Sequence, residues 1–139
     1  PGLGKTFLSA CIARTVSENG YSVVYDTAGN IFAQFEARKF QRDSADLQEA
    51  RDETRRYLSC DLLILDDLGT EFVTPYFITT FYSLLNNRLG AGLPTIVTTN
   101  IADGSLLEKR YTEKISSRLS SFVPCLFAGE DIRGLKAAE

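Results

Sequence analysis

Pro1-Gly2-Leu3-Gly4-Lys5-Thr6 opens the chain, and the reading of everything after it depends on this stretch. It is the closing part of the pattern G-x-x-x-x-G-K-[ST], a glycine-rich loop running directly into an apolar, helix-like stretch. Gly2 and Gly4 let the backbone turn tightly and bring N–H groups close to an anion. A helix starting near Lys5 adds its free N–H groups and the positive end of its dipole at the same place. In such a loop Lys5 reaches the β- and γ-phosphates of a nucleoside triphosphate, ATP in the commonest case, and the Thr6 hydroxyl holds Mg²⁺. The plainer reading is a Pro-Gly turn before an amphipathic helix with a surface lysine. The first glycine of the pattern, and the strand that delivers the loop, are expected before Pro1. On this reading the chain is N-terminally truncated and its first strand is missing.

The second half of such a site lies about 60 residues downstream, in Leu62-Leu63-Ile64-Leu65-Asp66-Asp67. Four apolar residues in a row read as a strand buried on both faces. In a parallel sheet, ligands collect at the carboxyl ends of the strands. Asp66 stands at that end and is the candidate for the Mg²⁺ shell, with Asp67 the candidate for orienting and activating the attacking water. An Asp-Asp pair departs from the commoner Asp-Glu, and the second carboxylate reaches one methylene less far. Glu71 follows soon after, and two readings stay open: it assists the chemistry, or it favours a nearby helix N-terminus.

Around these two motifs, strand-like and helix-like segments alternate. Phe7, Leu8, Cys11, Ile12 and Val16 recur at helical spacing, and Glu18-Asn19-Gly20 closes that helix. Tyr21–Tyr25 reads as a strand. Ala28–Phe40 is helical, and Asp43-Ser44 begins another helix running to about Leu58. Thr74-Pro75 starts a helix reaching about Leu89, with proline suited to its first turn. Pro94–Thr99 reads as a buried strand. Helices follow over about Ala102–Lys109 and Thr112–Ser121. Phe122–Phe127 is the last strand candidate, with Pro124 marking an edge or an irregular start. The alternation predicts an α/β layered fold around a parallel sheet, a single domain over 1–139.

Composition narrows the field. Hydrophobic residues make up 44% and charged residues 24%, as in ordinary globular domains. A net charge of −3 means that any contact with nucleic acid must use a local basic patch. The sequence has no histidine, so imidazole catalysis is excluded within this segment. Cys11, Cys60 and Cys125 fit no zinc spacing and no disulfide framework, and read as reduced, buried thiols in a cytoplasmic protein. No apolar run approaches a membrane span.

Two further polar residues fall where a nucleotide hydrolase needs them. Asn100 ends the strand Ile96-Val97-Thr98-Thr99, where an amide meets the γ-phosphate or the attacking water; an asparagine starting a turn explains the residue equally simply. Arg118 sits in Ile115-Ser116-Ser117-Arg118-Leu119. Read by itself it is a helix-surface ion-pair residue. Inserted from a neighbouring subunit, it would neutralise transition-state charge as an arginine finger.

The order PGLGKT, LLILDDLGTE, TIVTTN, YTEKISSRL and GEDIRGLKA resembles the AAA+ ATPase domain of the DnaC/DnaI/IstB group, bacterial replicative-helicase loaders and ATPase helpers of insertion-sequence transposition. The resemblance covers nearly the whole chain. It implies a three-layer P-loop fold, ATP and Mg²⁺ as cofactors, and hydrolysis of ATP. It places Lys5 and Thr6 in Walker A, Asp66 and Asp67 in Walker B, Asn100 at the first sensor and Arg118 at the arginine finger. Arg133 falls near a C-terminal arginine of the family that lies close to the nucleotide. The partners it implies are a replicative helicase or a transposase, single-stranded DNA, and further copies of the chain. The contact with DNA is expected partly in Phe32–Phe40, where Phe35, Arg38, Lys39 and Phe40 combine aromatic and basic side chains; the other reading makes these phenylalanines core. Loading of a helicase onto single-stranded DNA is the leading expectation. Transposition, a slow-turnover assembly switch, and a P-loop small-molecule kinase are its rivals.

Overall fold

A computed structural model describes residues 4–40, 44–101 and 103–126. The chain runs α1 (Lys5–Glu18), β1 (Val23–Thr27), α2 (Ala28–Phe40), α3 (Ser44–Ser59), β2 (Leu62–Leu68), α4 (Pro75–Gly90), β3 (Thr95–Thr99) and α5 (Gly104–Leu119). Its strands form one parallel sheet in the order β1-β2-β3. β2 is central, which explains its apolar composition: Leu63, Ile64 and Leu65 have no exposed surface. Side chains alternate across a strand. Leu63 and Leu65 enter the main core with Phe32, Phe35, Phe77, Phe81, Tyr111 and Ile115 from α2, α4 and α5. On the opposite face, Asp66 meets Thr6 of α1. The layers are therefore α1, the sheet, and the remaining helices.

β2 breaks its own alternation, and the break positions the acids. Leu65 pairs with Val97 and Leu68 with Thr99, so β2 spends one residue more than β3 over this stretch. That is a β-bulge. Asp67 absorbs it with a left-handed backbone, φ 58°. By simple alternation Leu68 would share the face of Asp66. The extra residue returns Leu68 to the aromatic core, where it is 1% exposed, and leaves Asp66 facing α1. Left-handed φ is sterically disfavoured for most residues but tolerated by aspartate.

Local signals explain most element ends. The Thr74 hydroxyl accepts from the Phe77 N–H, capping α4, and Pro75 follows at the first helical position. The Asp103 carboxylate caps α5 in the same way. α5 is two helices joined at Thr112, whose φ of 83° and ψ of 161° kink the axis. This matches the expected pair of helices on either side of that point. Arg88, 1% exposed, ties α4 to its neighbours: it donates to the Thr95 hydroxyl at 2.8 Å, the Pro94 carbonyl at 2.9 Å and the Tyr57 carbonyl at 3.0 Å. Burial lowers its pKa, which the neighbouring Cys60 and then Asp61 oppose only in part.

Five expectations need correction. The first strand lies two residues later than Tyr21–Tyr25, because its register is set by pairing Val23 with Leu62. β3 is half-buried, with only Thr98 buried, because it stands at the edge of the sheet formed by the described residues. Residues 122–126 form no strand, since they pair with no other strand and Pro124 has no N–H to offer; Phe127 lies outside the described residues. Cys60 is buried, but Cys11 and Cys125 are exposed, and all three thiols are free. The apolar positions of α1 suggested a covered face, yet Ser9 is its one buried residue.

Candidate functional site

Gly4 precedes α1 as its N-cap with φ 91° and ψ 9°, a conformation open to glycine and strained for other residues. Its carbonyl accepts from the Leu8 N–H at 2.8 Å, so the helix starts directly on the loop. Lys5 and Thr6 are the first two residues of α1, where the helix offers free N–H groups. The Thr6 hydroxyl donates to the Asp66 carboxylate, 3.4 Å from Oδ1 and 3.3 Å from Oδ2. The loop and the acidic strand end thus meet across a sequence separation of 60 residues.

Asp66 and Asp67 occupy different environments. Asp66 is 7% exposed, and its Oδ1 also accepts from the Thr98 hydroxyl at 2.5 Å. Asp67 is exposed, and its carboxylate makes no hydrogen bond with the described residues. Its backbone N–H donates to Thr98 Oγ1 at 2.9 Å. Tyr25, on β1, brings a hydroxyl to the same cleft and donates to the Thr6 carbonyl at 3.3 Å. Burial, and then the negative Asp66, raise the pKa of this phenol, which keeps it a neutral donor. Neither Tyr25 nor Thr98 was singled out from the sequence. A tyrosine and a threonine in strands are explained by β-propensity alone, so their type carries no signal.

Glu71 turns inward from the loop after β2. Its side chain is only 4% exposed, beside Arg110 at 3.8 Å. Its carboxylate accepts from the Gly69 N–H at 2.9 Å and from the Tyr111 hydroxyl. Arg110 also donates to the Glu71 carbonyl. Burial first, then Glu71, push the Tyr111 phenol well above its ordinary value. Glu71 therefore clamps the loop to α5.

Asn100 lies just past β3, exposed, and its amide makes no hydrogen bond with the described residues. Arg118 is remote from the loop in its contacts. Its guanidinium is 3.4 Å from the Tyr82 hydroxyl and lies over that ring, in a shallow depression lined also by Glu113, Lys114 and Ser117. Hydrogen bonding from Asn86, then from Arg118, lowers the Tyr82 pKa. Arg118 is exposed and pairs with no acid among the described residues, contrary to the ion pair that its position alone suggested. Gly2 and Arg133 lie outside the described residues. Of the aromatic residues considered for DNA contact, Phe32 and Phe35 are core, 5% and 8% exposed. Phe40 is 65% exposed, with Lys39 between it and Tyr76.

A glycine loop opening α1, an acid pair ending a central parallel strand, and a helix-sheet-helix layering define a P-loop nucleotide-binding domain of the AAA+ kind. Residues 1–109 match the family described as IstB-like ATP binding protein, and the chain belongs to that family. No curated protein gives a significant match. Among solved structures, a DNA replication initiation factor aligns with a TM-score of 0.74 at 22% identity, over 98% of this chain and 40% of that one. The DnaC helicase loader aligns with a TM-score of 0.69 at 22% identity, over 89% of this chain and 71% of that one. Replication initiator DnaA bound to AMPPCP and single-stranded DNA gives 0.69 at 24% identity, over 88% of this chain and 36% of that one. At these identities the likeness establishes a shared fold. The chain spans less than half the length of the first and third of these proteins.

Proposed function

We propose that this chain binds and hydrolyses Mg·ATP and uses the cycle to load a replicative helicase onto single-stranded DNA. The observation that carries the ATP reading is the meeting of Thr6 with Asp66 at 3.3 Å, because it joins the two motifs into one cleft. The donor set there suits Mg²⁺: a hydroxyl and a carboxylate, both hard oxygen ligands, with the remaining positions left to water and phosphate. Thr6 and Asp66 would hold the ion. When bound, it supplies charge neutralisation at the β- and γ-phosphates.

Each residue then has a distinct task. The backbone around Gly2 and Gly4 and the start of α1 cradle phosphate oxygens, and Lys5 adds a point charge. Asp67, whose carboxylate is uncommitted, orients the attacking water. Asn100, likewise uncommitted at the neighbouring strand end, donates to the γ-phosphate or positions that water. Arg118, held outward over Tyr82, acts on the nucleotide of an adjacent copy, so that hydrolysis needs an oligomer. Arg133 contributes a further charge near the nucleotide.

Loading rests on the resemblance to helicase loaders and on the shared fold with the DnaC helicase loader. The family match favours a second reading, an ATPase helper of transposition. On both readings the chain acts on DNA with a partner protein, a helicase or a transposase. The test is steady-state ATP hydrolysis by the full-length protein, alone, with single-stranded DNA, and with the replicative helicase of the same cell. Turnover that rises with DNA, together with helicase deposition on a DNA circle, is expected. Turnover without helicase binding would shift the assignment to transposition. No hydrolysis under any condition would leave a nucleotide-dependent assembly switch.

A further inference from the structure

Thr98 of β3 bonds both members of the acid pair. It is 7% exposed on β3, an edge strand whose other residues are half-buried. Its single oxygen does two things at once. It donates to Asp66 Oδ1 at 2.5 Å and accepts from the Asp67 N–H at 2.9 Å. The first bond commits Oδ1 and fixes the rotation of the Asp66 carboxylate, whose two oxygens lie 3.4 and 3.3 Å from the Thr6 hydroxyl. The second satisfies the N–H that the bulge removes from the ladder between Leu65 and Leu68. It thereby holds Asp67 at its left-handed φ of 58°. Thr99, next along β3, accepts from the Ile101 N–H at 3.1 Å and donates to the Leu68 carbonyl at 2.6 Å. The bulge is thus anchored on both sides by consecutive threonine hydroxyls.

We propose that Thr98 is a positioning residue for ATP hydrolysis, its hydroxyl setting the geometry of both Asp66 and Asp67 and coupling them to the strand that ends at Asn100. Valine has nearly the same shape and β-propensity but can neither donate nor accept. Serine keeps the hydroxyl and loses only the methyl group. The proposal rests on the ATPase reading above, and it makes the hydroxyl, not the packing, the functional part.

The experiment compares Thr98→Val, Thr98→Ser and Thr98→Ala in the full-length protein. The readouts are kcat, KM for ATP, the Mg²⁺ concentration for half-maximal rate, and Mg²⁺-dependent binding of a fluorescent ATP analogue. Partners that orient metal ligands typically contribute about 10–100-fold to affinity or activity. Thr98→Val is expected to lower kcat by about tenfold or more and to raise the Mg²⁺ requirement, with KM changed less. Thr98→Ser should stay close to wild type, and Thr98→Ala should resemble Thr98→Val. If valine fails to fold, the serine–alanine contrast decides alone. Valine with wild-type kcat and Mg²⁺ dependence overturns the proposal, as does serine impaired to the same degree as alanine. If the wild type binds the analogue without turning ATP over, the hydrolytic reading fails by itself. The hydroxyl's role is then decided by the Mg²⁺ dependence of binding in the same variants.

Discussion

Glu71→Ala probes whether the loop after the acid pair is held by structure or reserved for chemistry. The carboxylate is 4% exposed and accepts from the Gly69 N–H and the Tyr111 hydroxyl. Removing it leaves both donors without that acceptor. A buried unsatisfied donor costs about 1–3 kcal/mol. The Arg110 pair adds under about 1 kcal/mol, since that guanidinium is 31% exposed and solvent screens it. Water reaching the vacated space recovers part of the loss. The expected destabilisation is about 3 kcal/mol, in the lower half of the combined range of about 2–6 kcal/mol. For a domain of this size that is a fall of about 10 °C in Tm. Glu71→Gln keeps the shape, one acceptor for Gly69 and an N–H₂ able to donate to the Tyr111 oxygen, and should cost about 1 kcal/mol. The assay is urea unfolding of the full-length protein followed by far-UV circular dichroism, with ATP turnover measured beside it. A Glu71→Ala protein within about 1 kcal/mol of wild type would refute the clamp. A Glu71→Gln protein of normal stability but without turnover would return this carboxylate to the chemistry.

Two other substitutions separate the roles proposed for the site. Asp67→Asn should leave Mg·ATP binding largely intact and slow hydrolysis, whereas Asp66→Asn should weaken metal-dependent binding itself; paired nucleotide-binding and turnover assays on each protein tell these apart, and normal turnover by Asp67→Asn would move water activation elsewhere. Arg118→Ala should bind ATP yet lose turnover, and mixing it with Lys5→Ala should restore some activity, because a mixed interface pairs an intact loop with an intact arginine. Shown to form mixed oligomers but inactive at every ratio, those proteins would count against a finger acting between subunits.

What was legible in the sequence was local and periodic. The glycine loop, the apolar run of β2, the Thr74-Pro75 cap and the break between the two halves of α5 each show in a few consecutive residues. Their meeting in one cleft followed from the parallel arrangement, in which strand ends gather on one side. The bulge was not legible. Nothing in Leu65-Asp66-Asp67-Leu68 announces an extra residue; it becomes visible once Val97 and Thr99 supply the register. Thr98, Tyr25 and the Glu71–Tyr111 contact were hidden for the same reason, since each joins residues far apart in the chain. Residues 122–126 show the converse error: strand-like composition makes no strand where no described strand pairs with it. The phenylalanines of α2 divided according to tertiary packing, Phe32 and Phe35 entering the core while Phe40 stays exposed, which helical spacing did not resolve.

The central claim is that Lys5 and its loop bind the triphosphate of ATP. Isothermal titration of Mg·ATP into the full-length wild type and Lys5→Ala proteins tests it most directly. Stoichiometric binding by the wild type is expected, with an affinity at least about tenfold lower in the variant, about 1.4 kcal/mol. Equal affinity in the two proteins, or no binding by a folded wild type, would contradict it.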